Sequence, residues 1–369
     1  MSFQGAMAPA RGRDLVVRMA IVGGFLGSGK TTLINGIAKE LKAQGKSVGL
    51  VMNDQGEALV DTQYCEANGF QVAEVLRGCF CCKFNDLITG TRGLVGRVKP
   101  DYVIAEPVGS CTDLQATVVA PLKSIYAKEI SVAPLMVLVD SSRISEDEML
   151  GESLGGYLRH HQIAEADVVV LSKTDMISTS RLREIVEEVG KINAEAEVIP
   201  YSSLDGSGFK QIMKVITSER EPTHRPVDID YDKYAAAEAE LGWYNGQFTL
   251  KADHLDTYDL ATRILRELAS KYHPQDVAHA KVSVRSPHNQ AKISMVYSNL
   301  IVDSVLGSRY SAGETTVLLN ARIVSSPEEL SKNMRDSVKY TLREMKLATV
   351  EIKDDCFAPG RPNPTYRMR

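Results

Sequence analysis

The run RMAIVGGFLGSGKTTLINGIAKEL constrains this chain more than any other stretch. A β-rich segment, Val16 to Gly23, leads into Gly24-x-x-x-x-Gly29-Lys30-Thr31, and Leu33, Ile34, Ile37, Ala38 and Leu41 then recur at helical spacing. Strand, glycine-rich loop and helix in that order predict a P-loop unit within a mostly parallel sheet flanked by helices. The residue types follow from the chemistry of phosphate. Gly24, Gly27, Ser28 and Gly29 let backbone N–H groups close on phosphate oxygens, and the helix N-terminus adds its positive dipole end. Lys30 is placed to bridge β- and γ-phosphates, Thr31 to ligate Mg2+ through its hydroxyl, and Thr32 to meet the α-phosphate.

Farther along, the apolar strand Val168 to Leu171 ends in Ser172-Lys173-Thr174-Asp175, a guanine-reading pattern. Asp175 suits guanine because a carboxylate accepts from both N1–H and the 2-amino group, a donor pair that adenine lacks, while the Lys173 stem covers the ring. A surface strand end is the bland reading of the same four residues. The segment PYSSLDGSG follows the next strand, and Ser202 within it is the candidate for a last base contact. Between these motifs, the strand Asp101 to Ala105 delivers Glu106 to the ligand-binding end of the sheet. Glu106 is the candidate Mg2+ carboxylate, and Gly109 the backbone N–H that senses the γ-phosphate. GTP or GDP is the expected nucleotide.

Length and charge limit the rest. A chain of 369 residues suggests two domains. A net charge of -4 argues against a general nucleic-acid or anionic-membrane binder. No apolar run reaches the length of a membrane span, and the N-terminus lacks a signal-peptide core, so a cytoplasmic location is expected. Six cysteines are too few for a disulfide scaffold, yet three of them, Cys79, Cys81 and Cys82, fall in GCFCC. Thiolates there favour Zn2+ or Co2+ over Mg2+, with another residue or water completing a near-tetrahedral site. A redox pair or buried structural thiols are the competing readings, although the C-x-x-C redox spacing is missing.

GGFLGSGKTTL, NDQGEALVD, GCFCC, EPVGSCTD and SKTD, in this order, resemble the CobW-type metal-chaperone GTPases, SIMIBI-class P-loop proteins related to the hydrogenase- and urease-maturation GTPases. The likeness covers roughly residues 17 to 215. It implies a GTPase whose cysteine motif binds a transition metal beside the nucleotide and passes it to a client metalloprotein or cofactor enzyme. It also implies that NDQGEALVD is a switch segment in which Asp54 and Glu57 bind Mg2+, position water or add oxygen ligands, a solvated acidic loop being the alternative. With Lys30 and Glu106 these two complete the candidate catalytic set. Slow hydrolysis is expected, since no arginine finger is evident; Arg77 and Lys83 flank the cysteines without a role. Where family members carry E-T-[ST]-G-x-A-[DE]-P, this chain has Glu106-Pro107-Val108-Gly109-Ser110-Cys111-Thr112-Asp113, which makes Cys111 either an added ligand, a redox partner or a buried thiol. Cys65 reads as structural, and His160-His161 as a helix-surface pair or spare ligands.

The expected domains are an N-terminal arm over 1–14, a GTPase domain over 15–218, a charged linker over 219–237, a smaller α+β domain over 238–350 and a Pro/Arg-rich tail over 351–369. Alternating segments such as AKVSVRS and AKISMVYS predict strands, and SPEELSKNMRDSVKYTLREM a helix with its start signature. The second domain resembles a divergent form of the family's C-terminal domain and is expected to recognise a partner or close over the metal. The tail is either a passive extended end or an arm that docks on the client or brings Cys356 to the metal. Homodimerisation is compatible with all of this. Two further functions stay open: a regulatory or reactivating switch for a cofactor enzyme, possibly corrinoid-dependent, and a small-molecule kinase sharing the P-loop.

Overall fold

A computed structural model describes residues 16–53, 60–144, 151, 153–223, 226–297, 299–348 and 350–368. Asp54 and Glu57 lie outside the described residues.

The first sheet contains β1 (Val17–Gly24), β2 (Val48–Asn53), β3 (Gln71–Val75), β4 (Tyr102–Glu106), β5 (Ile130–Val132), β6 (Met136–Asp140), β7 (Val168–Ser172) and β8 (Glu197–Pro200). Their order is β3-β2-β4-β1-β6-β7-β8, with β5 beside the start of β1, and every pairing is parallel. Parallel strands need crossovers, and helices supply them at α1 (Lys30–Ala43), α2 (Val60–Ala67), α3 (Phe84–Val98), α4 (Ala120–Ile125), α5 (Leu154–Glu165) and α6 (Thr179–Ile192); α7 (Phe209–Thr217) follows the last strand. Helices on both faces explain why β1 and β7 read as nearly unbroken apolar runs. One core gathers Met19, Ile21, Phe84, Leu122 and Val189, the other Val22, Leu33, Ile34, Leu41 and Ile212. Gly24, Asn53, Glu106 and Ser172 are each the last residue of their strand. The chemistry-bearing motifs therefore converge on one edge of the sheet, the carboxyl ends where open α/β sheets hold ligands.

The second sheet is antiparallel: β9 (Leu241–Asp256), β10 (Val277–Arg285), β11 (Gln290–Val296), β12 (Asn299–Leu306), β13 (Tyr310–Val324) and β14 (Lys353–Phe357), in the order β12-β11-β10-β13-β9-β14. Two helices, numbered below as α9 (Thr257–Ala269) and α10 (Pro327–Glu344), cover one face, which carries Val282, Ile293, Met295, Leu319 and Ile323. The Ser-Pro-Glu-Glu start is realised: Ser326 caps α10 by accepting from the Glu329 N–H at 3.2 Å. The opposite face lies against the P-loop, so closely that a Cβ on Gly27 would come within 2.9 Å of Val296 Cγ1.

Two parts of the chain do more than their composition suggests. The latter half of the 219–237 segment, expected as linker, enters α8 (Tyr231–Ala239), capped by the Asp230 side chain and packed on α5 with Tyr234 and Ala237 buried. After Cys356, which sits in β14 opposite Tyr244, the tail leaves the second sheet and returns to the first domain.

Candidate functional site

A cavity of about 560 Å3 opens between the P-loop and the second sheet. Gly27, Ser28, Gly29, Lys30, Thr31 and Thr32 form its floor, with Glu106 and Gly109 at one end and Lys173 and Asp175 at the other. Gly24 supports this floor from beneath. Its φ is 127°, and a Cβ there would strike Leu138 O at 2.3 Å, so only glycine lets β1 turn into the loop. Gly29, at φ 95°, adopts the left-handed backbone that favours glycine at the start of α1.

Lys30 Nζ donates to Gly24 O at 2.8 Å and Phe25 O at 3.2 Å, and stands 4.0 Å from the Glu106 carboxylate. Burial pushes the Lys30 ammonium down and the Glu106 carboxyl up, and each charge opposes that push on its partner. Thr31 Oγ1 donates to Glu106 at 3.0 Å, so a hydroxyl and a carboxylate stand side by side as hard oxygen donors, a set that fits Mg2+. At the other end, Ser172 Oγ donates to Ser28 O at 2.8 Å, and Lys173 Nζ to Gly27 O at 3.0 Å and Asp140 Oδ2 at 2.5 Å. These bonds stitch the Ser172-Lys173-Thr174-Asp175 turn to the phosphate loop. Asp175 is exposed at the cavity rim. Ser202 is placed differently from expectation: it is fully buried, its Oγ accepts from the Leu204 N–H at 3.1 Å, and Ser203 and Leu204 form the cavity wall instead.

The cysteine loop lies beside this cavity. Cys79, Cys81 and Cys82 bring their sulfurs within 4.8 Å of one another, as free thiols. Cys81 and Cys82 Sγ are 3.8 Å apart, close to the roughly 3.8 Å spacing that two sulfurs bound at about 2.3 Å to a tetrahedral Zn2+ require. Cys79 and Cys81 stand tighter, at 2.6 Å, than two sulfurs on one tetrahedral ion. Hydrogen bonds from the thiols of Cys111, Cys81 and Cys82 hold the Cys79 sulfur well below the ordinary thiol range, while the hydrogen bond each shares with Cys79, helped by burial, pushes Cys81 up and Cys82 up to about 11. Three sulfurs gathered at this spacing form a group that could hold a soft metal ion. Cys111 is thus a neighbour of Cys79, and burial pushes its own thiol up. Cys65 is apart from the cluster, bonded by Asn35 and pushed up to about 12 by burial, as a structural thiol should be. His161 packs on Tyr157 at 4.1 Å between ring centroids, and neither His160 nor His161 belongs to the metal-spaced group.

Two features escaped the sequence reading. The first is Asn53, at the end of β2 and on the cavity wall. Its Nδ2 donates to Val75 O at 2.8 Å and Gly78 O at 2.7 Å, and its Oδ1 accepts from the Phe80 N–H at 2.9 Å. The first side chain of the NDQGEALVD segment therefore clamps the start of GCFCC. The second is the tail. Asn363 N–H donates to Cys82 Sγ at 3.2 Å, Thr365 N–H to Cys81 O at 2.8 Å, and Thr365 Oγ1 to Cys82 O at 3.1 Å. Tyr366 sets its ring edge on Phe84 at 5.2 Å, and Arg367 pairs with the buried Asp113 at 2.8 Å. The arm is thus docked on its own cysteine loop, and it brings backbone donors there while Cys356 stays in the second sheet. The segment between Glu106 and α4 is enclosed as well: Ser110 bonds Glu238 of α8, and Gln115 N–H donates to Glu165 of α5 at 2.9 Å.

Fold and site together define a P-loop nucleotide-binding domain with a thiol cluster at its rim, followed by an antiparallel-sheet domain. Residues 18–200, just under half of the chain, match the family model described as CobW/HypB/UreG, nucleotide-binding domain. Among curated relatives, the zinc chaperone CobW of Sinorhizobium sp is 29% identical over 208 residues, covering 50% of this chain and 58% of the relative. The zinc-regulated GTPase metalloprotein activator 1 of Dictyostelium discoideum is 26% identical over 264 residues, covering 58% and 54%. The matches span about half the length of these relatives. A solved structure of HypB from Helicobacter pylori in complex with nickel aligns at 19% identity with a TM-score of 0.44, covering 58% of this chain and 93% of that one. Among the described residues, no helix is long and apolar enough to cross a membrane.

Proposed function

We propose that this chain is a GTP-binding, slowly GTP-hydrolysing metallochaperone or maturation factor, in which Cys79, Cys81 and Cys82 carry Zn2+ or Co2+ to a client metalloprotein or cofactor enzyme under nucleotide control. It acts in the cytoplasm, where reducing conditions keep such thiols free. Gly24, Gly27, Ser28, Gly29, Lys30, Thr31 and Thr32 cradle the phosphates, Gly109 meets the γ-phosphate, and Lys173, Asp175 and the Ser202 turn hold guanine. Thr31 and Glu106 hold Mg2+, which when bound spreads the charge of the terminal phosphates. Lys30 exchanges its carbonyl partners for phosphate oxygens, and Asp54 and Glu57 orient water or add ligands. The observation that carries the reading is Asn53, which lines the nucleotide cavity and bonds three backbone groups of the cysteine loop and its approach. A change at the γ-phosphate that moves the end of β2 has a direct path to the sulfur positions. Zn2+ is preferred in view of the zinc-chaperone relatives, and Co2+ follows from the same thiol chemistry.

The test is metal content and affinity of anaerobically purified protein, with GDP and with a non-hydrolysable GTP analogue, beside a Cys79→Ser, Cys81→Ser, Cys82→Ser variant. Cysteine-dependent binding that shifts with nucleotide is the expected result, and by linkage metal then shifts nucleotide affinity equally. Binding indifferent to nucleotide defeats this reading and favours a second, a regulatory switch with a retained zinc, for which the tail closed over Cys81 and Cys82 speaks.

A further inference from the structure

The polar face of the second sheet is not used by that reading. Strand alternation sends Val282, Ile293 and Ala321 toward the two covering helices, and Lys281, Lys292, Asn320 and Arg322 to the other side. A polar sheet face ordinarily meets water. Here it roofs the nucleotide cavity, opposite Lys30, Thr31 and Glu106. Three cations, Lys281, Lys292 and Arg322, face two carboxylates, Asp61 and Asp303, which leaves the roof with a positive excess over the P-loop. Buried charge of this kind is costly unless a counter-charge completes it, and a nucleotide supplies one.

The three cations are not equivalent. Arg322 donates to Tyr244 O at 2.8 Å and Asn245 Oδ1 at 3.0 Å and stacks 4.3 Å from the Trp243 ring centre, so it is built into the sheet. Lys292 is shared between Asp61 at 2.8 Å and Asp303 at 3.5 Å, over the Tyr64 ring. Lys281 bonds Asp61 at 2.5 Å and lies within electrostatic reach of both Lys30 and Glu106, the groups at the terminal-phosphate end. Beside it on β10, His279 is buried and its Nδ1 has no hydrogen-bond partner among the described residues. Asp61 stands in the first turn of α2 and is the last residue of the NDQGEALVD switch segment.

We propose that Lys281 is a catalytic phosphate ligand supplied in cis by the second domain, released by Asp61 to the γ-phosphate when GTP is bound and held by Asp61 when that phosphate is absent. The proposal rests on the GTPase reading above. In the step it serves, a water oxygen bonds to the γ-phosphorus and the bond from that phosphorus to the β–γ bridging oxygen breaks. The bond's electron pair stays on GDP, and the water proton leaves with inorganic phosphate. Lys281 keeps its own proton throughout and only donates to the oxygens on which charge is concentrated. The absence of a recognisable arginine finger is then explained: the cation sits some 250 residues away in sequence, on a strand.

The experiment compares full-length wild type with Lys30→Ala, Lys281→Ala, Lys281→Arg and Asp61→Asn, reading steady-state GTP hydrolysis and the affinities of fluorescent GTP and GDP analogues. Lys281→Ala should lower kcat roughly 100-fold, the scale of removing one preorganised donor, and weaken GTP more than GDP; Lys281→Arg should restore part of kcat. Asp61→Asn, which frees Lys281, should raise the preference for GTP over GDP. Wild-type kcat and an unchanged GTP/GDP preference in Lys281→Ala would overturn the proposal, as would an unchanged or lowered GTP preference in Asp61→Asn should Lys281→Ala not fold. If wild type binds no guanine nucleotide, or Lys30→Ala hydrolyses normally, the GTPase reading itself fails and not this residue alone.

Discussion

Replacing Arg367 by Ala should open the tail over the cysteine loop. Arg367 Nε and the Tyr231 hydroxyl, at 2.8 and 2.7 Å, are the donors to the Asp113 Oδ2, whose side chain is fully buried. Losing one bond to a charged group costs about 1.5–3 kcal/mol. Each 1.4 kcal/mol is tenfold, so the open fraction of residues 361–368 should rise roughly 10- to 100-fold. Opening removes the Asn363 N–H from Cys82 Sγ and exposes that thiol, so alkylation of Cys82, followed by mass spectrometry in metal-free protein, reads the equilibrium directly. The pH dependence has a definite sign. Burial raises the Asp113 carboxyl above its usual range, and the Arg367 partnership acts on the ionised form. The ratio of mutant to wild-type labelling should therefore be largest above the raised pKa and shrink as pH falls through it, as protonation removes the ion pair from both proteins. A labelling ratio near one at neutral pH, or one that grows on acidification, refutes the view that Asp113 anchors the tail.

Asn53→Ala should leave the Gly78 and Val75 carbonyls and the Phe80 N–H without their side-chain partner, at about 1–3 kcal/mol for each buried group left unsatisfied. Its melting temperature should fall, and Zn2+ affinity should become the same with GDP and a GTP analogue; a retained nucleotide effect in a folded variant goes against the coupling. Glu165 is pushed up to about 8 by burial, so the folded state holds this proton longer than the unfolded chain and stability declines as pH rises between about 4.5 and 8. Glu165→Gln should flatten that decline in a melting series, and an identical slope to wild type counts against the assignment. Gly24→Ala should destroy the P-loop turn, because its Cβ meets Leu138 O at 2.3 Å and its φ is 127°; a variant that still binds GDP like wild type contradicts it.

What could be read in advance were motifs whose chemistry is local. In the P-loop run and in GCFCC the residues that act together are neighbours in sequence, so spacing alone predicts the geometry. Asp230 before the Ala- and Glu-rich run of α8 was a legible cap signal, masked by the charges and prolines that precede it. The Ser202 turn shows a finer failure, because a turn's backbone decides which of three consecutive side chains meets the cavity. The larger gap concerns faces. Alternation in β10, β11 and β13 correctly divides apolar from polar positions, but a polar face turned to water and one turned to a buried polyanion site carry the same pattern. The tail poses the same problem in one dimension. Three prolines keep it out of regular structure, and an irregular extended backbone is the kind that has N–H groups to spare for Cys81 O and Cys82 Sγ. Composition that excludes a helix or a strand thus leaves backbone donors free of a ladder, and the Cys81 carbonyl and Cys82 sulfur of the cysteine loop are where they are used.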